Sequence, residues 1–506
     1  MKKAVSSFAI LILLLYIPSC KPDVKGKSTT KAADSASVAE KPKDALTLFT
    51  DSADSLIRDT TLRNAGVGML FLDLTLSQPR SLFSHNVDLS LVPASVIKLL
   101  TTSTALELFG SNKSFGTALQ YNGEIIGRTL KGNLFIKGGG DPTFTPEKAF
   151  NRWTALIKEL GIDTIDGYII GDANIFQRFP IPYTWTWGEL NTAYGTAASG
   201  LSIYSNVYEI RFNSDFRGPY AVSTGRLKPD TSKLQVYNLT TEADIPEENI
   251  FIIGDPLGNI RYIQGWIPKG KKEISTYAPI PNPPETAAAE FSRHLAMNRI
   301  FVTGRAVNLE NLRDTSKLKT FEGNRTNIGF AFSPSVGNLV TVINQESNNF
   351  FAEHLIKHIG LAKYHNGSDE SGATAIAEFW KTKGMDTGGL YIFDGCGISR
   401  YNAVTVRQLV FILQHMRRSP WYDVFYNSLP LAGTTGTLRN KFRETPMEGQ
   451  LRAKTGTISR VRSLAGYLRT NTNKTIAFAI IINNFNCPVD DLNKKLEQIF
   501  IPLMKY

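Results

Sequence analysis

The chain's two ends constrain its fold most. Three consecutive segments near the C-terminus, GQLRAKTGTI (449–458), RSLAGYLRT (462–470) and KTIAFAIIINNF (474–485), have the length and β-branched content of strands, and Asn471-Thr472-Asn473 joins the last two. A helical pattern closes the chain at Asp491–Leu503. At the other end an amphipathic stretch from Ala45 (Leu46, Leu48, Phe49, Leu56, Ile57) precedes an alternating strand at Gly66–Leu74 and a shorter one at Leu82–Ser84. Helical texture follows Asn338 and recurs at Phe350–Ile359, Ala373–Lys383 and Val404–Met416. Strands and a helix at each end around a helical middle predict an α/β (α+β) fold: one antiparallel sheet, built from both ends and flanked by helices.

Between Phe115 and about Arg325 the texture changes to short strands and turns, including Gly138-Gly139-Gly140-Asp141-Pro142, Gly171-Asp172-Ala173-Asn174 and Pro279–Pro284. This predicts a large, mostly β insertion. The expected division is a split domain at 46–117 and 325–506 with an inserted accessory region at 118–324. The 40 Gly and 24 Pro are scattered, and 42% of residues are hydrophobic, which excludes collagen-like, coiled-coil and wholly disordered chains.

The first residues set the compartment. Met1-Lys2-Lys3, the apolar run Phe8–Ile17 and Ser19-Cys20 read as a signal peptide over 1–20, too short to span a membrane. Ile17-Pro18-Ser19-Cys20 resembles a bacterial lipobox, which makes Cys20 the expected lipidation site; an ordinary signal peptide with an incidental Cys is the alternative. Residues 21–45 lack the apolar content to build a core and read as a flexible tether. An excess of 56 Lys+Arg over 45 Asp+Glu gives a net charge of +11, which suits anionic surroundings, but export argues against nucleic acid as a partner. Cys396 and Cys487 are too few for a disulfide framework or a Cys-based zinc site; whether they pair is left open.

Three short motifs stand in order: Ser95-Val96-Ile97-Lys98, Ser347-Asn348-Asn349 and Lys454-Thr455-Gly456. Singly each is weak. Together their contexts agree, the first opening a helix, the second at a break between helices, the third on a predicted strand. An i, i+3 spacing puts Ser95 and Lys98 on one helix face. A serine hydroxyl needs a base, and Lys98 serves only if uncharged; burial, the positive end of its own helix and a second cation such as Lys454 would all lower its pKa. Ser347 can pass a proton to a leaving amine, Asn349 can orient Lys98 and a substrate amide, and Lys454 with Thr455 can hold a carboxylate. Backbone N–H groups of Ser95 and of Thr457, on the strand after Gly456, would form the oxyanion hole. The bland readings are a helix cap at Ser95, Ser347 or Asn349 and a strand bulge at Gly456.

The chain resembles the penicillin-recognising serine D,D-peptidases, and most closely the class C low-molecular-mass penicillin-binding proteins, the D-alanyl-D-alanine carboxypeptidase/endopeptidase group. Further support comes from Asp394-Gly395-Cys396-Gly397-Ile398-Ser399-Arg400-Tyr401-Asn402, similar to the family's D-G-S-G-L-S-R-x-N, and from Leu429-Pro430-Leu431-Ala432-Gly433-Thr434-Thr435-Gly436-Thr437-Leu438. Cys396 departs from the usual serine. The resemblance implies the transpeptidase-like fold shared with β-lactamases and an acyl-Ser95 intermediate with no metal or organic cofactor. It also implies peptidoglycan as substrate, β-lactams as inhibitors, and a location on the periplasmic face of a membrane, held only by a lipid anchor. It carries substrate contacts to Thr455, Gly456, Thr457, Arg400 and, within the insertion, Glu189 and Tyr194; packing between domains is the alternative for the Trp185–Tyr194 stretch. The 252 residues between Ser95 and Ser347 argue for the peptidase over a β-lactamase or esterase on the same fold, and intact motifs argue against a non-catalytic envelope-binding protein. His354 and His358 are i, i+4, but no third ligand follows, so a solvated helix face is expected there rather than a zinc site.

Overall fold

The computed structural model describes residues 43–214, 222–223, 227–229, 231, 233–271, 274–313 and 324–506. The signal peptide, Cys20 and residues 21–42 of the tether lie outside the described residues. Asp44 caps α1 (Ala45–Ile57) by accepting from Thr47 N at 2.7 Å. Next come β1 (Gly66–Asp73), β2 (Arg80–His85) and a 3-10 turn at Ala94–Ile97 that runs directly into α2 (Lys98–Phe109). The insertion contributes β3 (Gly116–Tyr121), β4 (Leu134–Lys137), α3 (Pro146–Glu159), β5 (Ile169–Asp172), β6 (Gln235–Ala243), β7 (Asn249–Ile253), β8 (Ile260–Pro268), α4 (Pro283–Met297), β9 (Ala306–Asn308) and β10 (Thr326–Phe332). The chain ends with α5 (Val336–Glu346), α6 (Asn349–Tyr364), α7 (Asp369–Thr382), α8 (Val406–Met416), β11 (Leu451–Ile458), β12 (Val461–Arg469), β13 (Thr475–Asn483) and α9 (Val489–Leu503).

The expected sheet from both chain ends is present: its order is β11-β12-β13-β1-β2, antiparallel throughout, with Met69 opposite Ile480 where the two ends meet. Both faces are covered, which is why β13 reads as an unbroken apolar run. Ala477, Ala479 and Ile481 belong to the core under the helical middle, whereas Ile476, Phe478, Ile480 and Ile482 belong to the core shared with α1 and α9. Within the first of these cores α2 is buried from Lys98 to Leu106, so over that span it has no solvent face.

The insertion differs from expectation in two respects. First, beside its predominant strands it carries two helices, α3 and α4, of 14 and 15 residues, which pack Trp153, Phe150 and Phe291 into its core. Second, β10 pairs with β3 in a sheet ordered β9-β5-β4-β3-β10, so the seam falls near Phe115 and Ser333 instead of 117 and 325. The two crossing strands are tied there, with Ser333 N donating to Phe115 O at 2.9 Å and Phe115 N to Ser333 Oγ at 3.0 Å. A separate three-stranded sheet of the insertion is ordered β6-β8-β7.

The solvated face expected for His354 and His358 is overturned: both rings are buried. Helix α6 lies between the helical core and the insertion, so its second side faces protein and not water. Ser202 Oγ and His354 Nε2 are 3.0 Å apart, and His358 Nε2 lies 2.9 Å from Gly140 O with its ring stacked on Phe115 at 3.5 Å. Burial pulls their pKa values down to about 3 and about 4, which keeps both neutral.

Candidate active site

Three elements deliver the motifs to one place. The 3-10 turn that precedes α2 carries Ser95 in its first turn, and the continuing helix places Lys98 beneath it, so Lys98 Nζ donates to Ser95 Oγ at 2.9 Å. Lys98 also donates to Asn349 Oδ1 at 2.7 Å and to the carbonyl of Cys396 at 2.5 Å. Asn349 is the first residue of α6 and in turn donates from Nδ2 to Tyr194 O at 3.0 Å. The helix cap is neither Ser347 nor Asn349 but Asn348, which accepts from Phe351 N at 2.9 Å. Ser347 is left in the left-handed region at φ 56°, a conformation that a non-glycine residue adopts where its surroundings hold it. Its hydroxyl accepts from Lys454 Nζ at 2.8 Å, and Lys454 also donates to Thr455 O at 2.8 Å.

Burial pushes Lys98 below the ordinary lysine range, against the pull of Cys396, Asp394 and Glu353. Lys454 is pushed down further, by burial first and then by the charges of Lys98 and Arg462. Burial is the larger cause at both amines, and the repulsion between the two cations, which acts on each alike, adds to it as expected.

Glycine lets the strand approach Ser95 closely. A Cβ on Gly456 would fall 2.9 Å from Ser95 N and 2.8 Å from Pro93 O, and Ser463 on the neighbouring strand donates to that same Pro93 carbonyl at 2.6 Å. Thr455 Oγ1 donates to Thr437 Oγ1 at 2.8 Å, and Arg462 Nη1 donates to Thr457 Oγ1 at 2.7 Å. Ser95, Tyr194, Ser347, Thr437, Thr455 and Thr457 wall a cleft of about 400 Å³.

The residues carried by the insertion are not equally placed. Tyr194 lines the cleft, its phenol raised to about 12 chiefly by burial. Glu189 does not line it; its Oε2 accepts from Thr186 N at 3.2 Å and Thr186 Oγ1 at 3.0 Å. Arg400 is exposed beside the end of β11, donating to Ser459 O at 3.3 Å.

Sequence reasoning missed the residue that organises this corner. Asp394 is buried; Oδ1 accepts from Gly397 N and Asn402 Nδ2, both at 2.7 Å, and Oδ2 from Ser399 N at 2.6 Å and Trp185 Nε1 at 2.8 Å. One carboxylate therefore folds the 394–402 loop and ties the insertion to it. The loop packs so tightly that a Cβ on Gly397, at φ 92°, would meet Ala94 O at 2.2 Å. Asp394 directly precedes Gly395 at the head of the D-G-C-G-I-S-R-Y-N stretch, but nothing in that stretch shows what its carboxylate binds. Cys396 meets Lys98 through its carbonyl, so a thiol in place of a hydroxyl leaves that contact untouched; Cys396 and Cys487 are both free thiols. Glu353, Asp394 and Cys396 bring donor atoms within 4.8 Å of one another. Four hydrogen bonds already occupy Asp394, which leaves too few donors for a tetrahedral zinc site.

The family described as D-Ala-D-Ala carboxypeptidase 3 (S13) matches residues 49–500. A D-alanyl-D-alanine carboxypeptidase of Actinomadura sp. (strain R39) is 28% identical over 456 residues, covering 88% of this chain and 82% of the relative. The crystal structure of penicillin binding protein 4 (dacB) from Haemophilus influenzae superposes with a TM-score of 0.77 at 20% identity, over 90% of this chain and 100% of that one. The same Haemophilus protein complexed with a β-lactam gives a TM-score of 0.74 at 21% identity, again over 90% of this chain and 100% of that one.

Proposed function

The chain belongs to the D-Ala-D-Ala carboxypeptidase 3 (S13) family and is a serine D,D-peptidase acting on peptidoglycan, and on that premise we propose how its residues divide the chemistry. The observation that carries the assignment is the buried Lys98 amine, held 2.9 Å from Ser95 Oγ by Asn349 and the Cys396 carbonyl. Ser95 is the nucleophile and Lys98, uncharged, takes its proton as Oγ attacks the carbonyl carbon of the penultimate D-alanine. The oxyanion is met by the backbone N–H groups of Ser95 and Thr457. The leaving amine receives its proton through Ser347, whose hydroxyl is bonded to Lys454, and Lys454 with Thr455 holds the substrate carboxylate. Water then attacks the acyl-Ser95 ester, releases the acid and restores the serine proton. Glu189, Tyr194 and Arg400 recognise the far end of the stem peptide.

A β-lactam offers Ser95 a strained ring amide in place of the ordinary peptide bond, and its leaving nitrogen stays tethered to the acyl group, so the enzyme binds penicillin covalently. Intact-mass measurement after incubation with penicillin tests this directly. One added penicillin mass that maps to Ser95 is expected, and a labelled Ser95→Ala protein would overturn the nucleophile.

Peptidoglycan lies outside the cytoplasmic membrane, which places the enzyme in the periplasmic or extracellular space. Among the described residues no helix is long and apolar enough to cross a membrane. A diacylglycerol on Cys20 is the anchor in this reading. Fatty-acid labelling that survives Cys20→Ala would refute the anchor.

A further inference from the structure

The loop that brings Tyr194 to the cleft has a second face. Trp187, Asn191 and Ala193 line a separate groove of about 530 Å³, completed by Phe251 of β7, Gln264 of β8 and Tyr277. That volume is in the range of about 300–1,000 Å³ typical of small-molecule sites. Ala193 lines the groove and Tyr194, the next residue, lines the cleft. Asn191 fixes the loop to the sheet by donating to Gly254 O at 2.9 Å, and its buried Oδ1 meets no donor among the described residues. None of the described residues lining the groove is charged.

Phe251 and Gln264 also belong to the exposed face of the β6-β8-β7 sheet, where they stand opposite each other. Alternation along β8 buries Arg261, Ile263 and Ile267 and turns Tyr262, Gln264 and Trp266 outward. Tyr262 is paired with Tyr237 of β6, and their rings stack at 5.2 Å with planes 19° apart. Trp187, Phe251 and Trp266 are 59%, 53% and 50% exposed. A solvated sheet face ordinarily carries polar side chains, so a run of half-exposed aromatics there marks a surface that meets something.

We infer that the groove and the adjoining aromatic face bind the glycan strand of peptidoglycan, holding the sugar backbone beside the cleft while Ser95 acts on the stem peptide. The inference rests on the peptidase reading of that cleft. A pyranose ring offers apolar C–H faces that stack on flat aromatic rings and hydroxyl or acetamido edges that pair with amides such as Asn191 and Gln264. Rigid aromatics provide such contact at low entropic cost. An uncharged lining fits a neutral glycan and not the charged end of a stem peptide. Stem peptide and sugar are covalently joined, and about four extended residues reach only about 14 Å, so the glycan must pass over surface near the cleft.

The test uses the full chain and three probes: a peptide-free β-1,4-linked N-acetylglucosamine tetramer, a glycan-linked stem peptide and the same peptide without sugar. The tetramer is expected to change the tryptophan fluorescence of the unmodified protein, and Phe251→Ala with Trp266→Ala to abolish that change. In that double variant kcat/KM for the glycan-linked substrate is expected to fall about tenfold while the free peptide is turned over as before. Thermal melting checks the fold, and Trp266→Gln alone serves if the double variant melts early. Undiminished tetramer binding by the variant, equal loss on both substrates, or a solution dimer that the substitutions dissolve would each overturn the inference, the last by assigning the face to a second copy. Failure of penicillin to acylate Ser95 would instead refute the peptidase reading, whatever the tetramer does.

Discussion

Lys454 donates to Ser347 at 2.8 Å, joining a strand of the terminal sheet to a two-helix break 107 residues earlier in the chain. This bond and the Lys98–Ser95 pair face the same cleft, so two buried amines meet two hydroxyls there, which the proposed mechanism uses for attack and for departure. Neither amine is screened by water, and each therefore lies below the usual lysine range.

Lys98→Ala should leave the fold standing and lower acylation of Ser95 by penicillin about 10²–10⁴-fold, the cost of losing a general base. Lys98→Arg should fail equally, since a guanidinium stays protonated. In the unmodified enzyme acylation rises with pH as Lys98 loses its proton. Burial lowers that pKa from 10.5, so the acid limb of the pH–rate profile is expected below 10.5. Stopped-flow acylation across pH checks all three; normal acylation by Lys98→Ala would move the base elsewhere.

Glu189→Gln keeps the shape of the loop and the Thr186 contact but removes the charge proposed to meet the free amine of the stem peptide. A charge-assisted hydrogen bond is worth about 1.5–3 kcal/mol, so kcat/KM for a peptide bearing that amine should fall about ten- to a hundredfold. A plain β-lactam should acylate at nearly the original rate. Equal loss for both ligands would return Glu189 to a packing role.

Trp185→Phe deletes one of the four donors to buried Asp394 and the tie between the insertion and the 394–402 loop. A hydrogen bond to a charged group contributes about 1.5–3 kcal/mol, and the midpoint of urea unfolding should fall accordingly. An unchanged midpoint would mean that water replaces the indole without cost.

Acid should weaken the fold through α6. His354 and His358 have folded pKa values of about 3 and about 4, below the unfolded 6.5, so below pH 6.5 the unfolded chain takes up protons that the folded chain refuses. Their contribution is complete above 6.5 and is lost as pH falls toward 4, at up to about 1.4 kcal/mol per pH unit for each ring. Glu353 acts in the opposite sense, its pKa raised by burial, so the histidine effect is read as the difference between the original chain and His354→Asn, His358→Gln. Parallel melting curves for the two chains between pH 6.5 and 4.5 would sink this account.

Much of the site was legible because its parts are local. Ser95 and Lys98 meet through one helical turn, Ser347 and Asn349 flank one helix break, and Lys454 to Thr457 lie on one strand, so spacing within each motif already states a geometry. The terminal sheet was legible for the same reason, each strand carrying its own pattern. What the chain's own order could not reveal depends on contacts between distant segments. Gly- and Pro-rich turns on either side drew attention away from α3 and α4, although both begin with Pro and an acidic first turn and α4 is capped by Asn282. β10 looked like the start of the second half-domain until its edge partner, β3, assigned it to the insertion. The histidines of α6 looked solvated since helical spacing reports which residues share a face, not what covers that face. Asp394 had no visible role because its donor on Trp185 lies 209 residues away. Sequence alone determined the three motifs and the helices and strand that carry them, since hydrogen bonding along one turn or one strand is a local matter. Tertiary structure decided which side chains are desolvated, and with that which amines are lowered, which imidazoles are neutral and which carboxylate holds the insertion against the core.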